Sequence, residues 1–326
     1  MSQYIKLIDE ASDEKQQLRE DIRLGLSQTE KQIQSKYYYD EAGSELFNQI
    51  TRHPDYYLTG CELEILRRYK DDISTRVGSD TFNLIDLGPG EGIKTGLLIE
   101  QFINDNRAFT YVPIDISQKF LDHVIDRVSA QFAGIETIAL NSDYLVGMEW
   151  LMNNSSQRNV VLFLGSSIGN FDLQSTAFFL DTLRTFLRSG DYVLIGFDLR
   201  KDIDILMKAY NDSDGLTREF NLNLLKRINH DLHGHFNVDA FYHYGTYNVH
   251  TGAMESYLLS LEEQTVEIDD LNTAFTFRKF EPIHVETSYK YLRSQVEKLA
   301  ADAGFRIVKN YTDHRGYFIN SLWQAD

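Results

Sequence analysis

The chain has 326 residues, with 32 Lys and Arg against 49 Asp and Glu, a formal charge of −17. So acidic a chain repels phosphate backbones, and its 42 % apolar residues, with 20 Phe and 19 Tyr, are enough for a sizeable core; nucleic-acid binding and disorder are both disfavoured. It has no long apolar run and no basic segment leading into an apolar stretch at its start, and its single cysteine, Cys61, leaves neither a disulfide nor a Cys-based zinc cluster; the expectation is a cytoplasmic protein outside the membrane.

In chain order, the first 80 residues read as helices. Residues 13–26 carry apolar side chains at helical spacing, residues 44–51 form a short amphipathic piece, and Thr59 is placed to N-cap a helix through Arg67 with Glu62 as its capping-box partner. The middle then alternates. Apolar runs at 82–87, 109–114, 135–140, 160–164 and 192–197 read as strands, and 93–102, 118–132 and 176–187 as helices. Continuous apolar strands between amphipathic helices predict a parallel sheet covered on both faces. From about Lys201 the rhythm changes: a long helical stretch over 202–228 precedes antiparallel strands at 240–250 and 254–261. The last segment gives a helix at 290–303, strands at 306–311 and 317–323, and a turn at 313–316. The predicted fold class is α/β, a doubly wound sheet ending in a β-hairpin, with a discontinuous α+β second domain. The expected domains are 61–200 with 287–326, and 1–60 with 201–286.

The strongest local signal is residues 83–92, NLIDLGPGEG, a strand feeding a glycine-rich turn and then a helix. Gly88 and Gly90 let the backbone approach a ligand without a Cβ in the way. Dinucleotide sites space their glycines GxGxxG around a pyrophosphate; here the third glycine comes one residue early and Pro89 sits inside. That spacing, and the hairpin ending, favour S-adenosylmethionine (SAM), which carries a carboxylate and a sulfonium but no phosphate. Asp115, ending the next strand, is placed to accept the ribose hydroxyls. Asp143, after the third strand, is placed to accept from the adenine amine, with Tyr144 beside the ring. Lys94 is placed to meet the methionyl carboxylate. The fourth strand ends in small residues, Gly165 to Ser167, where a transferred methyl group needs close packing, and Asn170 offers both a donor and an acceptor.

Several blocks then identify a family. They are residues 36–47 (KYYYDEAGSELF), 50–57 (ITRHPDYY), 165–170 (GSSIGN), 198–202 (DLRKD) with Ala209 and Tyr210, Phe220 with Asn221, and 285–288 (VETS). Together they resemble the histidine Nα-methyltransferases of ergothioneine biosynthesis, over nearly the whole chain. The resemblance implies a class I Rossmann-like SAM-methyltransferase sheet and stepwise conversion of L-histidine to its trimethylated betaine, hercynine. It implies that Asn170 and Tyr210 hold the substrate carboxylate and position the amine, with Tyr39 near the amine. Tyr56 and Phe47 become pocket walls, and Glu286 and Ser288 bind the imidazole. Gly88, Lys94, Asp115, Asp143 and Tyr144 match the SAM site, and Gly165 and Ser167 line the active-site strand end. Ser256 departs from the family, standing where a methionine is expected beside the imidazole, although Met254 lies close by.

Methyl transfer from a sulfonium is an in-line displacement by a free amine, so the expected protein work is alignment and exclusion of water, with the second domain closing over the cleft. No residue reads as a dedicated base; proton loss to solvent, or through a tyrosine-linked water, is the expectation. The cluster His230, His233 and His235 lies in a polar turn, and no metal site is expected. The anticipated partner is a small-molecule amino acid and the anticipated state a monomer. Ser256 keeps another amino acid, tryptophan or tyrosine, open as the substrate. A nicotinamide-dependent oxidoreductase and a non-catalytic SAM or amino-acid sensor stand as readings from other classes.

Overall fold

A computed structural model describes residues 2–7 and 11–326; Met1 and residues 8–10, inside the expected 1–60 segment, lie outside the described residues. The chain divides into two units: the described residues of Met1–Ile8 with Gly60–Arg200 and Tyr291–Asp326, and those of Asp9–Thr59 with Lys201–Lys290. Strand β1 (Ser2–Lys6) opens the chain and pairs parallel with the strand at Glu136–Asn141. This corrects the reading of an all-helical start, and it takes the first strand out of the segment assigned to the second domain. A five-residue strand is too short for periodicity to distinguish.

Helices α1 (Ala11–Leu26) and α2 (Glu41–Arg52) follow. Asp40 caps α2 by accepting the Gly43 N–H. Helix α3 (Tyr57–Val77) leads into the first unit. It begins two residues before Thr59 and runs ten past Arg67, so Thr59 is not its N-cap and Glu62 is not a capping partner.

The first unit then alternates β2 (Phe82–Leu87), α4 (Ile93–Asn104), β3 (Phe109–Asp115), α5 (Gln118–Gln131), β4 (Glu136–Asn141), α6 (Tyr144–Asn154), β5 (Arg158–Phe163), α7 (Leu173–Thr185) and β6 (Tyr192–Asp198). Helix α6 is absent from the sequence reading. Every residue of β2 and β6 is buried, as strands covered on both faces require.

The second unit resumes with α8 (Ile203–Tyr210) and α9 (Leu216–Leu232). The single helix expected over 202–228 breaks here because Gly215 takes a left-handed conformation (φ 75°) and the Asp212 carboxylate accepts the Leu216 and Thr217 N–H groups, both at 2.7 Å. Strands β7 (Phe241–Asn248), β8 (Ala253–Ser260), β9 (Gln264–Ile268), β10 (Thr273–Phe277) and β11 (Pro282–Tyr289) complete the unit. They form an antiparallel sheet in the order β11-β8-β7 and a separate β9–β10 hairpin. Leu224, Leu225, Ile228, Leu258, Phe277 and Ile283 are core residues here, each contributing about 1.5–3 kcal/mol through burial.

Helix α10 (Arg293–Asp302) and strands β12 (Phe305–Thr312) and β13 (Phe318–Ala325) return to the first unit. The expected start of this helix at 290 is corrected: Lys290 still donates its backbone N–H to Gly252 O, as an extension of β11. The large sheet runs β1-β4-β3-β2-β5-β6-β13-β12, with β13 antiparallel to both neighbours. The chain moves outward from β2 through β3 and β4, then returns to β5 on the other side of β2. The carboxyl end of β2 is therefore the switch point, where open α/β sheets bind ligands.

Candidate active site

The glycine turn leaves the sheet at that switch point. Gly88, Gly90 and Gly92 all have positive φ (69°, 54° and 69°), a region side chains rarely enter. A Cβ on Gly88 would lie 2.6 Å from the Tyr144 hydroxyl, whereas one on Gly90 would meet no atom within 4 Å. The backbone thus passes close under Tyr144 and leaves an open cradle at Gly90, which fits a SAM-type ligand.

Asp115 ends β3, and its carboxylate accepts the Ser117 N–H at 2.8 Å. Burial, reinforced by the nearby Asp86 charge, pushes its pKa up to about 6 despite that bond. Asp86, wholly buried in β2, is also raised to about 6 by burial, against hydrogen bonds from Thr95 (2.5 Å) and Tyr111 (3.0 Å). Asp143 caps α6 by accepting the Leu145 N–H at 2.9 Å, which fixes its carboxylate at the end of β4. Tyr144 packs edge-on to Phe163, with ring centroids 5.6 Å apart.

The GSSIGN segment turns sharply at Gly165 (φ 79°) and Ser166 (φ 60°). The Ser166 hydroxyl accepts the Asp198 N–H, and the Ser167 hydroxyl donates to Leu164 O at 3.1 Å. Asn170 closes the short 3-10 turn Ser167–Asn170 and is exposed.

Sequence reasoning missed a central residue of this region. Glu62, fully buried on α3, accepts the Gly165 N–H on both carboxylate oxygens (2.9 and 3.1 Å) and pairs with Lys94 Nζ at 2.7 Å. Gly196 makes room for it, since a Cβ there would sit 2.5 Å from Glu62 Oε1. One buried carboxylate thus ties the β5 turn to the lysine expected to meet the methionyl carboxylate.

Apart from Asn170, the residues assigned to the amino acid lie in the second unit. Phe47 meets Tyr39 (5.6 Å), Tyr56 (6.3 Å) and Phe220 (5.7 Å), a continuous aromatic wall. Behind it, Tyr38 stacks on Phe220 and donates to Asn221 Oδ1 at 2.6 Å. Glu286 stands opposite Ser256 across the β8–β11 pair, next to a register shift. Ser256, buried, donates to Glu286 Oε2 at 3.2 Å. The serine at this position therefore supplies a hydrogen-bond donor to the carboxylate. Loss of hydration raises the Glu286 pKa above the ordinary carboxylate range, against the pull of Lys290 and Ser256.

Lys290 is the second residue missed. It is 1 % exposed, and its ammonium donates to the Tyr210 and Ser288 hydroxyls, both at 2.8 Å. It also lies 4.7 Å from the centre of the Tyr210 ring. Glu286, Ser288 and Lys290 alternate along one extended segment, so their side chains share a face. That period-2 spacing was the available signal, obscured by placing Lys290 at a helix start.

His230 lies in the last turn of α9, not in the polar turn expected, with His233 and His235 after it, and each meets a separate carboxylate: His230 with Asp231, His233 with Asp270, His235 with Asp269. A trio of Glu64, Asp313 and His314 does converge elsewhere, but Asp313 already accepts the backbone N–H groups of Arg315, Tyr317 and Phe318. Cys61 is buried and accepts from Arg315 at 3.2 Å, as a packing residue.

A parallel sheet with one antiparallel strand inserted near its end, and a glycine cradle without a phosphate-type spacing, defines a SAM-dependent methyltransferase. The chain belongs to the family described as histidine-specific methyltransferase, SAM-dependent, which it matches over residues 18–325. It is similar to the histidine N-alpha-methyltransferase of Mycobacterium tuberculosis (strain CDC 1551 / Oshkosh), with 35 % identity over 305 residues, 94 % of each chain. The protein of the same name from Mycolicibacterium smegmatis matches equally, at 35 % over 305 residues and 94 % of each chain. Ergothioneine biosynthesis protein 1 of Neurospora crassa is 30 % identical over 300 residues, 90 % of this chain and 33 % of that one.

Proposed function

We propose that the enzyme transfers methyl groups from SAM to the α-amine of L-histidine, stepwise to the trimethylated betaine, as the first step of ergothioneine biosynthesis. The observation that carries this reading is the polar end of an otherwise aromatic site: Glu286, braced by Ser256, beside Ser288. A carboxylate there accepts a ring N–H, which suits imidazole and leaves a phenyl ring unmatched.

SAM supplies an electrophilic methyl group on a sulfonium. Gly88, Gly90, Lys94, Asp115, Asp143, Tyr144, Gly165 and Ser167 are the residues assigned to hold it. Asn170, Tyr210 and Tyr39 are assigned to the carboxylate and amine, while Glu286 and Ser288 hold the ring and Tyr56 and Phe47 wall the site. Gripping a short ligand at both ends removes most of its rotational freedom, which is the principal contribution alignment makes to a displacement. The aromatic faces of Tyr39, Phe47 and Tyr56 suit the growing alkylammonium. The domain roles follow the same assignment: SAM to the first unit, which also carries Asn170, and the remaining amino-acid residues to the second. The reading extends to a cytoplasmic monomer, tested by light scattering of the purified protein.

The experiment is mass spectrometry of reactions holding SAM with histidine, tryptophan, tyrosine or phenylalanine. Histidine alone is expected to gain up to three methyl groups. Methylation of another amino acid with histidine untouched would refute the role given to Glu286.

A further inference from the structure

Resting on the cofactor residues assigned above, we infer that Asp86 selects the cationic sulfonium of SAM over the neutral thioether of the product, S-adenosylhomocysteine, by holding a negative charge at the foot of the glycine turn. Asp86 stands in β2, two positions before Gly88, and is 2 % exposed. Thr95 on α4 and Tyr111 on β3 both donate to its Oδ2, at 2.5 and 3.0 Å. Both donors are neutral. Among the described residues no ammonium or guanidinium is bonded to this carboxylate. Lys94, the cation that acts on it electrostatically, is bonded to Glu62 at 2.7 Å. Three carboxylates, Glu62, Asp86 and Asp115, thus bear on one another here, against the ammonium of Lys94.

A buried carboxylate opposed mainly by hydroxyls is costly to ionise, and a ligand that brings a positive charge offsets that cost. The chemistry of SAM says where its charge falls. Sulfur joins the methionyl arm to the ribose. Lys94 is assigned to the methionyl carboxylate and Asp115 to the ribose, and Asp86 is within electrostatic reach of both. It therefore acts on the part of the ligand between them. Methyl transfer moves the positive charge from sulfur to the amine nitrogen, and the cradle is left with a thioether. Adenine, ribose, carboxylate and ammonium are common to SAM and product, so contacts with those groups cannot separate the two. A fixed charge can, and it loosens the hold on the product once the methyl group has left.

The groups facing Asp86 are Glu62 from α3, Lys94 and Thr95 from α4, and Tyr111 and Asp115 from β3, while β5 sets the apolar Leu162 opposite it. Burial holds the Asp86 pKa at about 6, so the charge is present above that pH. A cationic ligand favours the ionised form. SAM affinity should accordingly gain more than product affinity as pH rises through about 6.

The test is calorimetric binding of three ligands to the full-length enzyme: SAM, S-adenosylhomocysteine, and sinefungin, whose amine carries a positive charge in place of the sulfonium's. In Asp86→Asn one amide oxygen can accept both hydroxyls, because both now bond the same oxygen, and only the charge is lost. SAM and sinefungin are expected to lose about 3- to 30-fold in affinity relative to S-adenosylhomocysteine, the range for removing one unit charge near another in a partly buried site. Damage to the turn would weaken all three alike, and an unchanged ratio would overturn the inference. Asp115→Asn is the comparison: it should weaken all three through the ribose and move the ratio less. The unmodified enzyme supplies an arm that needs no folded variant. Its SAM-to-product affinity ratio should rise between pH 5 and pH 7, by about the same 3- to 30-fold, and a flat or falling ratio would overturn the inference. Should Lys94→Met and Asp115→Asn both leave all three ligands unaffected, the assignment of the cofactor residues would fail, and the inference with it.

Discussion

Lys94 and Glu62 should behave as one unit in a double-mutant cycle. Glu62 is fully buried, while the Lys94 side chain keeps 27 % of its surface. In Lys94→Met the carboxylate loses its 2.7 Å partner and keeps only the Gly165 N–H, with the Gly196 backbone close on one side. Breaking a buried pair costs 3–5 kcal/mol in general; with the Gly165 bond retained, about 3 kcal/mol is expected. In Glu62→Gln the amide oxygen still accepts one bond and the lysine rehydrates, so about 1–2 kcal/mol is expected. The double variant buries no unpaired charge and should lose only about as much as Glu62→Gln, a coupling of about 3 kcal/mol. Urea unfolding at pH 7.5, from midpoint and slope, gives all four corners. Additive losses, or a Lys94→Met loss under 0.5 kcal/mol, would refute the account of the pair. Calorimetry with S-adenosylhomocysteine then separates structure from function. Lys94→Met should bind about 10- to 100-fold more weakly if the ammonium meets the ligand carboxylate; unchanged affinity would make Lys94 a structural partner of Glu62 alone.

Asp115 should give stability and ligand affinity opposite pH slopes. Its folded pKa, about 6, lies above the unfolded carboxylate value, so between them the folded state binds more protons and its contribution to stability falls as pH rises. Ribose hydroxyls donate to the ionised form, so S-adenosylhomocysteine should bind more tightly, with proton release, as pH rises through about 6; Asp115→Asn should flatten the affinity profile, and a persistent slope in titration calorimetry would assign it elsewhere. Gly88→Ala places a Cβ 2.6 Å from the Tyr144 hydroxyl at φ 69°, so the turn must shift; equilibrium dialysis should show at least about tenfold weaker SAM binding, at the lower range of backbone strain, and unchanged binding would remove the turn from the ligand. Glu286→Gln should raise the histidine KM about 10- to 100-fold, with kcat less affected, since the group grips the ring away from the reacting nitrogen; steady-state assays showing a loss confined to kcat would contradict that placement.

What was legible in the sequence is what depends on neighbours along the chain. The turn at 88–92 reads correctly because a strand, three glycines and a helix are consecutive, and positive φ is a local demand that glycine meets. Strands buried on both faces announce themselves as apolar runs, and β2, β3, β5 and β6 follow that logic. Asp115 and Asp143 are recognisable because a carboxylate at a strand end has a position, even before its partners are known. Glu62 fails every one of these tests. Its partner Gly165 is 103 residues away, and on its own helix it mimics a capping residue three positions after a threonine. Its meaning appears only when β5 and α4 converge on α3, and then it accounts for the sharp turn at Gly165 and the orientation of Lys94 at once. Lys290 was hidden differently. Its alternation with Glu286 and Ser288 was visible, but a lysine reads as a solvated charge until burial is known. Buried charged groups are rare because each needs compensation from the fold. Those that persist mark places where several elements have been arranged around one charge, so a buried charge whose partners come from distant segments points to a site more strongly than the motif beside it. Both missed residues meet that description, and each contacts a residue that motif reasoning had already assigned to a ligand.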